Sequence, residues 1–125
     1  MPIKIAIADD SPVIRRALRL FIQSSTDWQI CGEAENGAEA VALVERTHPD
    51  LLVLDLSMPV MNGLDAARRI LPISPGTAIV LFTAHASEQL HTEAKSIGIR
   101  AVVPKDGKTS MDALVAALRD MPRAA

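Results

Sequence analysis

Five short apolar runs, each followed by a segment of helical period, constrain this chain more than any other feature. The runs are Ile3–Ala8, Trp28–Glu33, Leu51–Leu56, Thr77–Phe82 and Ala101–Val103. Their lengths and β-branched content read as strands, and the segments between them read as helices. Strands that alternate with helices pair in parallel, because each helix carries the chain back across the sheet before the next strand begins. The run Leu51–Leu56 is nearly free of polar residues, as expected of a strand covered on both faces. The fold class expected is therefore α/β, a doubly wound five-stranded parallel sheet. At 125 residues, with no further repeat, low-complexity tract or long linker, the chain reads as one domain spanning residues 1–125.

The helix boundaries carry their own signals. Ser11 is placed to cap the first helix with Pro12 at its first position, and Val13, Ile14, Ala17, Leu18, Phe21 and Ile22 form one apolar stripe. Arg15, Arg16 and Arg19 are then expected to face water. Asn36 with Glu39 opens a second helix that stops before Pro49, and Asn62 with Asp65 repeats the arrangement. The fourth helix opens at Ser87 with Leu90, Ala94 and Ile97 on one face. The fifth opens near Ser110 with Leu114, Val115, Leu118 and Met121; Gly98 and Pro122 mark their ends.

A formal net charge of -2 leaves no basic footprint, so direct contact of this chain with nucleic acid or an anionic membrane is not expected. Acidic residues arrive too early for a signal peptide, and no apolar run approaches the roughly 20 residues of a membrane span. A soluble, cytoplasmic chain is the expectation. The single cysteine, Cys31, allows no intramolecular disulfide and reads as a small buried hydrophobe.

In wound parallel sheets, ligands bind beyond the carboxyl ends of the strands. Asp9 and Asp10 follow the first run, Asp55 lies at the end of the third, Thr83 follows the fourth and Lys105 the fifth. All five should meet at one rim. Neighbouring carboxylates oppose each other's ionisation, and an unpaired one is costly to bury, so the cluster calls for a cation. Three carboxylates make a hard oxygen site suited to Mg²⁺. A hydroxyl at Thr83 and an ammonium at Lys105 would give a phosphoryl group on one carboxylate a hydrogen-bond donor and a counter-charge. Each residue alone has an ordinary explanation, such as a helix cap for Asp10 or a solvated surface lysine for Lys105.

The ordered blocks IADDSP, PDLLVLDLSMPVMNG, LFTA and GIRAVVPKD resemble the receiver domain of two-component response regulators over essentially the whole chain. The resemblance implies a flavodoxin-like fold with strand order 2-1-3-4-5. It implies that Asp55 accepts a phosphoryl group from a histidine kinase or phosphotransfer protein. Mg²⁺ would be held by Asp9, Asp10, Asp55 and the backbone carbonyl of Ser57, with Asp10 the more direct ligand. Thr83 would be the switch hydroxyl and Lys105 the phosphate-contacting lysine. A homodimer formed on phosphorylation, and control of transcription through an output domain outside this chain, also follow from the likeness.

The chain departs from the family pattern at named positions. Val102 stands where an aromatic switch residue is common, Pro104 precedes Lys105 and Asp106 follows it, and Ser57 and His85 occupy two positions that influence acyl-phosphate hydrolysis. An Mg²⁺-dependent aspartate-nucleophile phosphatase is the alternative reading, but it would want a second acid where Ser57 stands. A flavin-binding module would want a phosphate-cradling loop after the first strand, where Asp9 and Asp10 would repel an anion. Trp28 should lie at the rim opposite the aspartates, about 17 to 20 Å along its strand.

Overall fold

The computed structural model describes residues 2–106 and 110–121. Five strands, β1 (Lys4–Ala8), β2 (Gln29–Ala34), β3 (Leu51–Leu54), β4 (Ala78–Thr83) and β5 (Ala101–Pro104), alternate with α1 (Pro12–Ser25), α2 (Gly37–Thr47), α3 (Gly63–Ile73), α4 (Glu88–Ile97) and α5 (Ser110–Arg119). Every strand pair is parallel, and the sheet order is β2-β1-β3-β4-β5. This is the flavodoxin-like architecture expected from the alternation and the resemblance.

Side chains alternate between two cores, as the two-residue period of a strand requires. Ile5, Ile7, Leu51, Val53, Val80 and Phe82 face α1 and α5, where they meet Leu18, Ile22, Leu114 and Leu118. Ala6, Ala8, Leu52, Leu54, Ile79 and Leu81 face the other layer, where they meet Leu43, Val44, Ile70 and Leu90. Each fully buried aliphatic side chain stabilises the fold by about 1.5–3 kcal/mol. Both layers are needed because β3 and β4 are buried on both faces.

The caps follow the sequence signals. Ser11 accepts from the Ile14 amide at 3.3 Å, Asn36 from Glu39 at 2.8 Å, Asn62 from Asp65 at 2.9 Å and Ser87 from Leu90 at 3.1 Å. Ser11, and not Asp10, is therefore the cap of α1. Gly98 ends α4 in the left-handed region with φ 112°; Pro122 lies outside the described residues.

Several expectations need correction. β3 stops at Leu54 and not at Leu56, so Asp55 is the first residue beyond the strand; Thr83 is the last residue of β4 and not the first beyond it. Val13 is 75% exposed, whereas Ile14 beside it packs against the α1–α5 core, so the buried stripe of α1 is narrower than expected. Arg15 and Arg19 do not simply face water: both reach Glu33 on β2, at 3.6 Å and 2.6 Å. Cys31 is only partly buried. The β1–β2 register shifts so that Ile5 pairs with Ile30 and Ala6 with Gly32, which leaves Cys31 as the extra residue of a bulge.

Candidate functional site

The carboxyl ends of β1 and β3 bring two aspartates into the interior. The Asp9 amide donates to the Ala34 carbonyl at 3.0 Å and the Asp55 amide to the Ala8 carbonyl at 2.9 Å, so each backbone continues the sheet ladder by one residue. Asp9 is 2% and Asp55 6% exposed. Asp10, the next residue after Asp9, is exposed. Carboxylate oxygens of Asp9, Asp10 and Asp55 lie within 4.8 Å of one another.

Lys105 arrives from the far edge of the sheet. Its amide donates to the Thr83 carbonyl at 2.8 Å, which fixes its backbone to the end of β4. The ammonium then reaches inward to Asp9 Oδ2 at 2.6 Å and Asp55 Oδ1 at 3.2 Å, passing 5.7 Å from the centroid of the Phe82 ring. One cation thus bridges two buried carboxylates and gains a cation–π contact. The other oxygen of Asp9 accepts the Ser11 amide at 2.9 Å, so both Asp9 oxygens have donors. Among the described residues Asp10 has no such partner.

These contacts leave Asp55 in an unequal balance. Burial raises its pKa above the ordinary carboxylate value, the neighbouring Asp9 charge raises it further and Asp10 adds a smaller push, while Lys105 opposes all three through charge and hydrogen bonding.

Thr83 is completely buried, and its hydroxyl accepts the His85 amide at 3.1 Å. Ser57 is exposed, in the loop between β3 and α3. That loop is closed by the Gly63 amide on the Leu56 carbonyl at 2.8 Å and contains a three-residue turn, Met61 N to Pro59 O at 2.7 Å, with Val60 at φ 71°. Val102 is partly buried against the α2–α4 core. No cis peptide bond occurs among the described residues, so the Val103–Pro104 bond is trans.

Two residues act at this rim without having been singled out in the sequence. Arg15 donates from Nη1 to the main-chain carbonyl of Asp9 at 2.6 Å, holding the peptide that joins the two aspartates. Phe82 lies beneath the Lys105 ammonium. The only sequence signals were the one-turn spacing of Arg15 from Ser11 and the position of Phe82 just before Thr83.

Chemically, the rim offers a hard-oxygen cluster, one buried carboxylate of raised pKa, an ammonium that bridges two carboxylates and a buried hydroxyl. The donor set fits a small divalent cation such as Mg²⁺, which takes one or two carboxylates directly and keeps several waters.

Comparisons with known proteins agree with this fold. The profile of the family described as "Response regulator receiver domain" matches residues 5–119. The uncharacterized transcriptional regulatory protein YhcZ of Bacillus subtilis (strain 168) is 39% identical over 103 residues, covering 82% of this chain and 48% of that protein. A protein-glutamate methylesterase/protein-glutamine glutaminase of Pyrococcus horikoshii is 36% identical over 105 residues, covering 82% of this chain but 28% of the enzyme. Among solved structures, the response regulator domain of Thermotoga maritima CheB superposes with a TM-score of 0.87 at 26% identity, covering 95% of each chain. The chain spans about half the length of the curated transcriptional regulators it matches.

Proposed function

This chain belongs to the response regulator receiver family, and from that premise we propose that Asp55 accepts a phosphoryl group from a phosphohistidine on a histidine kinase or phosphotransfer protein. The observation that carries the assignment is the setting of Asp55: a buried carboxylate at the end of β3, 3.2 Å from a lysine ammonium and within reach of two further carboxylates. Among the described residues Asp9 is the other buried carboxylate, but both its oxygens already have donors.

The ionised Asp55 oxygen attacks phosphorus, the bond from phosphorus to the histidine nitrogen breaks, and the leaving imidazole keeps that electron pair. Phosphoryl transfer asks the protein mainly for alignment and for compensation of charge on the transferring oxygens. Lys105 supplies part of that compensation by turning from Asp55 toward a phosphoryl oxygen, a short movement for an ammonium already at the acceptor. Asp10, Asp55 and the Ser57 carbonyl would hold Mg²⁺ directly, with Asp9 supporting from behind, because the Asp9 oxygens are engaged by Ser11 and Lys105. A bound Mg²⁺ contributes further neutralisation of the phosphoryl oxygens. Thr83 is the hydroxyl that reports the new group to α4.

The matched transcriptional regulators support a cytoplasmic role in which residues 1–125 form the receiver of a longer regulator. Phosphorylation would then favour a homodimer and act on an output domain outside this chain. Acetyl phosphate with Mg²⁺ should add one phosphoryl mass to the intact protein, and Asp55→Asn or chelation with EDTA should remove the addition. Undiminished labelling of Asp55→Asn would overturn the assignment.

A further inference from the structure

We propose that Gly37, on the helix beside the acidic rim, is a positioning residue for the loop that follows the phosphoacceptor, a role that rests on the reading of Asp55 above. Gly37 is the first residue of α2 and is buried. Its backbone is not in the left-handed region, so conformational freedom does not explain the glycine. Space does. A Cβ at this position would lie 2.1 Å from the Met61 carbonyl oxygen, 2.7 Å from Met61 Cβ and 2.8 Å from the Met61 carbonyl carbon. All three atoms belong to one residue of the β3–α3 loop, and two are backbone.

Neither side of this contact yields easily. α2 is anchored by Ala40 and Val44, both fully buried, and by Leu43. The loop has little slack: it is closed by Gly63 on Leu56, tightened by the turn from Pro59 to Met61, and held at its far end where a Cβ on Gly63 would sit 2.2 Å from the Asp55 carbonyl oxygen. A methyl group at position 37 therefore has to displace the Met61 backbone by more than an ångström to reach ordinary contact. A short closed loop passes that displacement on to Ser57 and Asp55.

Gly32 provides a contrast within the same layer. A Cβ there would meet Leu43 Cδ1 at 2.5 Å, a terminal methyl and not backbone, so a small shift of one side chain takes up the strain. The contact involves no residue of the β3–α3 loop.

The test compares Gly37→Ala with Gly32→Ala in the full chain. In metal-free protein, amide NMR shifts of Gly37→Ala should extend through residues 55–62, whereas those of Gly32→Ala should stay in β2 and α2. The Mg²⁺ concentration that half-saturates acetyl phosphate labelling should rise roughly tenfold in Gly37→Ala, in keeping with the sensitivity of such sites to ångström displacements. It should stay within about twofold of wild type in Gly32→Ala, which leaves the site geometry untouched.

Met61→Gly in the wild-type background keeps Gly37 but loosens the loop at the same contact, and it should raise the half-saturating Mg²⁺ concentration as well. If Gly37→Ala folds too poorly to titrate, Met61→Gly carries the test by that titration and by amide shifts at residues 55–58. Shifts confined to α2 with wild-type Mg²⁺ dependence in Gly37→Ala, or wild-type Mg²⁺ dependence in Met61→Gly, overturn it. A wild-type chain that takes no phosphoryl group would refute the Asp55 reading, while the metal-free shift comparison would still decide the role of Gly37.

Discussion

Asp55 sits in a setting that resists its charge. Burial and then Asp9 raise its pKa, with Asp10 behind them, and Lys105 recovers only part of the difference. A raised native pKa means that the folded state holds a proton at pH values where the unfolded chain has released it. Stability linked to Asp55 is thus fully present below the unfolded carboxylate pKa and is lost as pH rises through the native one. At neutral pH in EDTA, Asp55→Asn should accordingly shift the urea midpoint upward. It should also flatten the fall in stability that wild type shows as pH rises through the range just above ordinary carboxylate titration. Lys105 keeps Asp9 as a partner in this variant, so no unpaired cation offsets the gain. A lower urea midpoint for Asp55→Asn would show that the bridge to Lys105 outweighs the burial of the charge. The residues that meet at the rim were legible because polar side chains at strand ends stand out from apolar runs. Arg15 was not, since a helical-period reading assigns it to solvent and cannot register the Asp9 carbonyl as its partner.

Elements were legible wherever a local rule decides them. Strand positions followed from apolar runs and helix starts from Ser11, Asn36, Asn62 and Ser87, whose side chains cap as their residue types dictate. Features that depend on two distant segments escaped, such as the bulge at Cys31, which exists only relative to β1. The exposure of Val13 escaped for the same reason, because the width of the buried stripe depends on how the helix is turned against the sheet. The β4–α4 connection shows what such pairings imply for switching. Its residues 84–87 are all exposed, while the hydroxyl that anchors it, on Thr83, accepts the His85 amide. Turning that hydroxyl toward a phosphoryl oxygen would release His85 and free a segment with few buried contacts. Val102 is β-branched and packed against the core, with few rotamers to exchange. Beryllofluoride with Mg²⁺ should therefore give large amide shifts from Thr83 to Leu90 and small ones at the Val102 methyls. A Val102 rotamer change or a silent α4 would contradict this route.

A metal bound at the rim would be felt by the whole molecule through mass action. A ligand that binds only the native state stabilises it by about 2.7 kcal/mol at a hundredfold excess over Kd. For a domain of 125 residues, that corresponds to a rise in melting temperature of roughly 10 °C. The acidic cluster adds a second effect of opposite direction in metal-free protein, because three carboxylates are gathered by the fold and like charges repel. Asp10 is the member without a partner among the described residues, so Asp10→Asn should raise the metal-free melting temperature and remove most of the response to Mg²⁺. Trp28 makes the experiment specific to the rim. It precedes Gln29, which pairs with Lys4 at the start of β1, whereas Asp9 follows the other end of that strand. Native tryptophan emission should consequently stay constant during a Mg²⁺ titration that shifts the melting curve. Emission that changes in step with binding would mean that the metal acts at the wrong end of the sheet or reshapes the whole fold. An unchanged melting temperature in saturating Mg²⁺, or a full response in Asp10→Asn, would contradict the assignment of the metal to this cluster.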